Sequence, residues 1–432
     1  MIPQIYSTLG NPNSLVPMAI KDIANSCGLT AGSYITGDKL EGKDRFIDEF
    51  GTQAIWLFGI PAYKKILDLT LYKLLKINPK FDVRNLNENR KNILKKSIEY
   101  ADSSIKESMK TAVANPKFTK NLAMGKFIVS TALTILTYAG LTKYRHKATE
   151  KAAKKEIMQE MSQNTNPSPI EKPNMDKFIN KNNDTPSFTG GIQDFMYNPV
   201  KNLMILDGAI TTERLAHSRN KQDLMGYMIK EGSFWAFMYF ASKPIQKFLE
   251  NRVDKNTKKP ASIDLDARVI ESKDLENAIK NGTLKESASK VLKLETPEQL
   301  LDFIHNNPED FTVKMAKMSD VLPVLKDAKQ ADNVDYRKFI DLDEFKGVAQ
   351  KLNRLQNKFE AFKLTDAADK SLEAFLKTVK KAKRLSVLAN IGACITALGV
   401  LAPAIMVAIR KWGDNNEFQV KEDLKKKMNA NA

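Results

Sequence analysis

The stretch RLSVLANIGACITALGVLAPAIMVAIRKW, Arg384 to Trp412, decides how this chain is read. From Leu385 to Ile409 it runs twenty-five residues without a charge, in a chain that is 28% Asp, Glu, Lys and Arg. As a helix it would be about 37 Å long, enough to cross the roughly 30 Å hydrocarbon core of a bilayer with some tilt. Basic residues bracket it: Lys377, Lys380, Lys381, Lys383 and Arg384 come before, and Arg410 and Lys411 come after. With Trp412, the residues Lys380, Lys381, Lys383, Arg384, Arg410 and Lys411 are expected to anchor the helix at the two interfaces. Within the run, Ala389, Gly392, Thr396, Gly399 and Pro403 recur at steps of three and four and draw a face of small residues. Leu388, Ile391, Ile395, Leu398, Ala402 and Ile405 draw a bulky face opposite. Small side chains let helix backbones approach, so the first face is expected to pack and the second to meet lipid.

Working outward, NLAMGKFIVSTALTILTYAGLTKYRHK gives a second expected span over residues 122–142, interrupted only by Lys126, whose long side chain can snorkel from near the end. Two shorter aromatic segments, GTQAIWLFGIPAYKKILD (51–68) and GSFWAFMYFASKPIQKFLE (232–250), are too short to cross alone. The uncharged part of the first, Phe50 to Tyr63, would reach about 21 Å as a helix. The two share an order of features: Gly, an aromatic-rich apolar run, Pro, then Lys, an apolar pair and an acid. DVRNL (82–86) has a counterpart in DYRKF (335–339), and KNL before one long apolar run answers KRL before the other. Matches in the same order suggest an internal duplication.

The remaining chain divides by composition. Residues 1–45 carry Pro, Gly, Ser and Asn with no clear helical period and are expected to be irregular, without the basic start of a signal peptide. Residues 46–155 form a first membrane-associated helical unit, with RNLNENRKNILKKSIEYADSSIKESMKTAVANP (84–116) expected as one polar helix ended before Pro116. The Asn- and Pro-rich 156–191 reads as a flexible linker, 192–250 as an aromatic-rich helical unit, and 413–432 as a polar tail after the basic and apolar 377–412. Residues 251–376 read as a soluble helical domain. There Thr296, Pro297 and Gln299 form a helix-start signature, and Phe345, Val348, Leu352, Leu355 and Phe359 form one apolar face. The expected fold class is all-α: a multi-helix integral membrane protein with a helical soluble domain.

Little in the sequence points to chemistry. His146, His217 and His305 are isolated, so neither a metal nor a catalytic residue is assigned, and no cofactor motif is found. GSYITGDK (32–39) resembles a phosphate loop only in part, since Asp38 intervenes and Leu40 stands where a Ser or Thr would hold magnesium. LDGAITTERLAHSRNKQD (206–223) gathers Asp207, Glu213, Arg214, His217 and Arg219, and reads as a polar helix paired with its neighbours. Two cysteines, Cys27 and Cys394, exclude a disulfide framework. The net charge of +17 comes from Lys-rich runs without interleaved aromatics, which argues against nucleic acid and for anionic lipid headgroups, at about 1 kcal/mol per basic residue near the surface. The expected role is a non-enzymatic membrane scaffold or partner-docking protein, alone, as a homo-oligomer or with another membrane protein. It would lie in the inner membrane if the source is bacterial. A transporter or channel built from duplicated helical units and an unrecognised membrane enzyme are the alternatives.

Overall fold

Helix-capping residues and apolar periodicity mark much of this chain, and the computed structural model is all-helical in class among its described residues. It describes residues 2–11, 14–36, 39–163, 192–218, 221–257, 264–319, 322–326, 334–365, 369–412 and 419–430, with no strand among them. In chain order the helices begin with α1 (Ile2–Gly10), α2 (Leu15–Thr36) and α3 (Lys39–Leu67), which runs into a π-helical turn, Asp68–Tyr72. Then come α4 (Lys91–Tyr100), α5 (Ser103–Ala114), α6 (Pro116–Gln163), α7 (Ile192–Tyr197), α8 (Pro199–Ala216) and α9 (Lys221–Trp235), which enters a second π-helical turn, Ala236–Phe240. After α10 (Ser242–Thr257) follow α11 (Ala267–Glu271), α12 (Lys273–Lys280), α13 (Thr283–Leu292), α14 (Pro297–Asn306), α15 (Phe311–Met318) and α16 (Pro323–Lys326). The chain ends with α17 (Leu342–Lys363), α18 (Leu372–Thr396), a third π-helical turn (Ala397–Leu401), α19 (Ala402–Trp412) and α20 (Gln419–Ala430).

Several boundaries differ from those read off the sequence. The N-terminal stretch is not irregular but helical, because Pro3 and Pro17 fall in the first turns of α1 and α2, where their missing N–H groups would lack a partner anyway. Ser14 Oγ accepts the Val16 N–H at 3.3 Å as α2 begins. The stretch 84–116 is not one helix: Asn87 and Ala101 take extended conformations, with ψ 147° and 146°, so two 3-10 turns, Val83–Leu86 and Glu88–Arg90, precede two separate helices, α4 and α5. The first eight residues of the expected linker belong to α6, whose Ala153 and Ile157 pack with Leu40 and with Val420 and Leu424 of α20. Part of the polar tail is therefore a packed helix, with Lys421 bridging Glu156 and Glu160. The rest of the linker, 164–191, lies outside the described residues. Lys126 does not snorkel; it forms an ion pair with Asp68 and lies over the Tyr72 ring at 4.7 Å.

Contacts divide the chain into two units, neither of them a contiguous run. Unit 1 is Met1–Pro17, Lys64–Val129 and Phe240–Ala393; unit 2 is Met18–Tyr63, Ser130–Tyr239 and Cys394–Ala432. Four of the points where the chain changes unit, 63/64, 129/130, 239/240 and 393/394, fall inside the four apolar segments.

In unit 1 the face of α17 drawn by Phe345, Val348, Leu352, Leu355 and Phe359 is buried, and α17 packs mainly on α13. Phe375 of α18 meets Phe359 and Phe362 at 5.3 and 5.4 Å. The capping box of Thr296 and Gln299 forms at the start of α14. An Asp-x-Arg turn occurs three times, at Asp82–Arg84, Asp266–Arg268 and Asp335–Arg337. In each, the Asp carboxylate accepts the Arg backbone N–H, at 3.0, 2.8 and 3.2 Å, and pairs with its guanidinium. The first and third meet: the Asp82 N–H donates to the Arg337 carbonyl at 3.0 Å, and Arg84 and Arg90 lie 4.1 and 4.0 Å from the Phe339 ring.

Unit 2 is held by close helix approach. Ala24, Gly28 and Gly32 recur every four residues on α2 and face Gly399, Pro403 and Val407. A Cβ on Gly28 would sit 2.1 Å from the Gly399 carbonyl oxygen, and one on Gly399 would sit 2.9 Å from that of Ala24. Helices α3 and α6 approach in the same way, with Gly51 against Leu141 and Gly59 against Thr134; beside them Tyr63 and Thr137 share a hydrogen bond of 2.7 Å. Gly28→Ala should therefore cost roughly 1–3 kcal/mol or more through overpacking. Gly392→Ala, with nothing within 4 Å of the added atom, should cost nothing. Urea unfolding of the two variants against the parent chain checks the contrast.

Candidate functional site: a buried charge network around a small cavity

Unit 2 buries an unusual number of charges, and helical spacing explains how they meet. On α3, Asp44, Asp48 and Glu49 lie one turn apart on one face; on α8, Asp207 and Arg214 lie two turns apart. Arg145 comes from α6, Lys230 and Glu231 from α9, and Asp22 and Asn25 from α2. Asp48 is 1% exposed and Lys230 3% or less. A charge this far from water has to be paired.

The pairing is dense. Lys230 Nζ donates to Glu49 Oε1 at 2.7 Å, and Arg214 donates to Glu231 Oε1 at 2.6 Å and to Thr52 Oγ1 at 3.1 Å. Arg145 donates to Asp44 Oδ2 and to the Tyr227 hydroxyl, each at 3.1 Å, and Thr149 Oγ1 donates to Asp44 Oδ1 at 2.5 Å. Asp48 lies between Arg145 at 3.6 Å, Arg214 at 3.5 Å and Lys230 at 4.0 Å. Tyr138 and Tyr227 place their rings 5.6 and 6.0 Å from the Arg214 guanidinium. Burial alone would raise the Asp48 carboxyl, but Arg145, Arg214, Lys230 and Arg45 outweigh it and hold it well below the carboxylate range.

A cavity of about 30 Å³ lies against this network, lined among others by Asp22, Asn25, Thr52, Trp56, Asp207 and Lys230. Its carboxyls behave oppositely to Asp48. Burial, with Glu49 nearby, pushes Asp22 up to about 7, and burial pushes Asp207 up to about 8 despite the hydrogen bond from Tyr239.

Of the cluster read at 206–223, the structure brings Asp207 and Arg214 into the network. Glu213 pairs instead with His217 at 3.7 Å, whose ring is largely exposed, and Arg219 lies outside the described residues. In GSYITGDK, Gly32 belongs to α2, and Gly37 and Asp38 lie outside the described residues. His305 stacks on Tyr100 at 3.9 Å and meets the Tyr336 hydroxyl at 2.7 Å, while Asp302 takes Lys96 and Tyr100; these contacts join α14 to α4. Among the described residues no three His, Cys, Asp or Glu side chains converge so as to hold a metal ion.

The small residues of the last apolar run do not share one packed surface. Ala389, Gly392 and Thr396 are exposed, Gly399 is half-buried and Pro403 is buried, whereas Ile391, Leu398 and Ala402, from the face expected to meet lipid, are buried. Of the anchors, Lys381 is exposed, Lys380 half-buried and Lys383 buried, and Arg384 pairs with Glu271 at 2.9 Å. Arg410, Lys411 and Trp412 close α19, and their side chains lie outside the described ones.

Neither a family model, nor a curated protein, nor a solved structure matches this chain. The site therefore has to be read from its own geometry. Sequence reasoning missed Asp22, Asn25, Asp48, Glu49, Lys230 and Glu231. A usable signal was present in AIKDIANSCGL, which sets Lys21, Asp22 and Asn25 among small and apolar residues at helical spacing.

Two outcomes follow from the network. Lys230→Met leaves Glu49 buried without its partner and should cost about 3–5 kcal/mol, much of it recovered in Lys230→Met/Glu49→Met, as denaturant unfolding would show. Asp207 carries a raised pKa in the folded chain, so the folded state holds a proton that the unfolded state releases. Its contribution is fully present below the ordinary value of 3.8, declines as pH rises and is flat above about 8. Asp207→Asn should flatten the fall in stability across that window, measured by unfolding midpoints at a series of pH values.

Proposed function

We propose that this chain is an integral membrane protein that acts as a scaffold, embedding its apolar helices in a bilayer and presenting the helices of unit 1 for docking. Two helices, Pro116–Met161 and Leu372–Ile409, are long and apolar enough to cross a membrane. The observation that carries the proposal is their exposure. Only 28% and 33% of their most apolar stretches are buried, whereas the core helix of a soluble protein would be mostly covered. Exposed apolar side chains recur on all four apolar segments: Phe58 and Ile66, Ile128 and Leu136, Phe240 and Phe248, Val400 and Ile405. Two polar side chains of these segments find polar partners, Lys126 with Asp68 and Asn390 with Ser242 at 3.0 Å, which suits a solvent unable to hydrogen-bond.

Anionic lipid is the partner that the charge supports best. Where α18 enters its apolar run, a groove of about 650 Å³ is lined by Lys377, Lys380, Lys381 and Arg384, by the acids Glu276 and Glu373, and by Leu385 and Leu388, so that basic groups outnumber acids around an apolar floor. The Asp-x-Arg turns of Asp82–Arg84 and Asp335–Arg337, within the paired segments DVRNL and DYRKF, support the internal duplication suggested by the sequence. A transporter is the second reading, favoured by the carboxyls facing the cavity of unit 2, and liposome flux assays separate the two.

Two measurements test membrane insertion. Alkaline carbonate should leave the full-length chain in the membrane pellet, and its release would remove the proposal. Val400→Arg, at an exposed position near the middle of the run, should cost about 2.5–3.5 kcal/mol of insertion free energy, read by glycosylation mapping.

A further inference from the structure

The acids lining the cavity of unit 2 fall into two kinds. Glu49 is held by Lys230 at 2.7 Å and Glu231 by Arg214 at 2.6 Å. Asp207 accepts the Tyr239 hydroxyl and pairs with no base, and among the described residues no hydrogen bond or ion pair holds Asp22. Every basic group facing the cavity is thus already taken, leaving two carboxyls close enough that the charge of Asp22 opposes ionisation of Asp207.

A second observation points into the same space. Asn25 is 1% exposed and lines the cavity, and neither its Oδ1 nor its Nδ2 has a hydrogen-bond partner. Buried amides in native proteins are satisfied, and one that is not marks the place of a water or an ion. The cavity volume of about 30 Å³ exceeds the roughly 10–15 Å³ that a water-sized sphere needs.

We propose that this cavity holds one small monovalent cation between Asp22, Asp207 and the Oδ1 of Asn25, either a proton bound to one of the two carboxyls or a sodium ion. The chemistry selects a single charge. Two carboxylates without a base leave negative charge to be neutralised, while the third His, Cys, Asp or Glu that a divalent or transition-metal site would call for is not found beside them among the described residues. The charged and titratable groups around the site are Asp22 from α2, Asp48 and Glu49 from α3, Arg145 from α6 acting through Asp48, Asp207 and Arg214 from α8, Lys230 and Glu231 from α9, and Tyr239 from the second π-helical turn. The raised pKa values of Asp22 and Asp207 have the same origin as the proposal, burial without a basic partner.

The test uses the purified full-length chain and two arms. In the first, infrared difference spectra between about pH 5 and about pH 9 look for the carbonyl band of a protonated carboxylic acid that titrates near neutrality, far above an ordinary Asp. In the second, sodium chloride replaces choline chloride at constant ionic strength and about pH 9, with the unfolding midpoint and the fluorescence of Trp56 as readouts. A proton site gives a neutral-range band that Asp207→Asn or Asp22→Asn diminishes, with no response to sodium. A sodium site gives a saturable rise in midpoint of roughly 2 °C or more when sodium far exceeds its Kd, reduced by Asn25→Ala. Neither a neutral-range band nor a response to sodium would overturn the proposal and leave the cavity to neutral water. Wild-type readings alone decide this, so a variant that fails to fold does not blur the outcome. The test is also independent of membrane insertion: release by carbonate would end the scaffold reading and leave this site standing.

Discussion

A charge removed from water must find an opposite charge, and in unit 2 that requirement fixes which helices meet. Asp48 draws on Arg145 from α6, Arg214 from α8 and Lys230 from α9, so one carboxylate on α3 ties three other helices to a common register. Apolar packing alone would tolerate sliding or rotation of these helices, because one aliphatic contact can replace another. Arginines at 3.5 and 3.6 Å from the same carboxyl do not permit that freedom. The glycine contacts of α2 act alongside: they bring backbone against backbone, and only one placement of α2 sets Asn25 and Asp22 at the cavity wall.

Unit 1 depends on a different economy of interactions. Its helices are short, and its turns are made rigid locally by the three Asp-x-Arg pairs, in which each carboxylate both caps the backbone and holds the guanidinium. Where two of these turns meet, Arg84 and Arg90 enclose the Phe339 ring and Arg90 donates to the Ile340 carbonyl at 2.7 Å. Other ion pairs of unit 1, such as Lys280 with Glu276 and Lys290 with Glu286, lie on helix surfaces, whereas the network of unit 2 is buried.

The all-helical class and the faces of α14 and α17 were legible because capping residues and apolar spacing are local signals. The N-terminal helices were not, since prolines and glycines that usually break helices here occupy first turns and close contacts. The small-residue stripe of the last apolar run was misleading for a physical reason. The π-helical turn at Ala397–Leu401 carries an extra residue, which rotates everything beyond it by roughly 100° from α-helical register. Ala389, Gly392 and Thr396 therefore face outward while Pro403 packs, although a uniform period places all four on one side. The buried network escaped notice because its members come from five helices, and pairing between helices leaves no spacing to read.

The ion pair of Lys126 with Asp68 bears on how such a chain could be assembled. If these segments lie in hydrocarbon, an unpaired Lys126 or Asp68 is costly even near the end of its segment, and the ion pair offsets much of that cost. Residues 51–68 leave the ribosome well before residues 122–142, so the first segment has no counter-charge until the second is synthesised. Its entry into the bilayer would have to wait for the later helix, and the two would enter together as a hairpin whose closing step neutralises both charges.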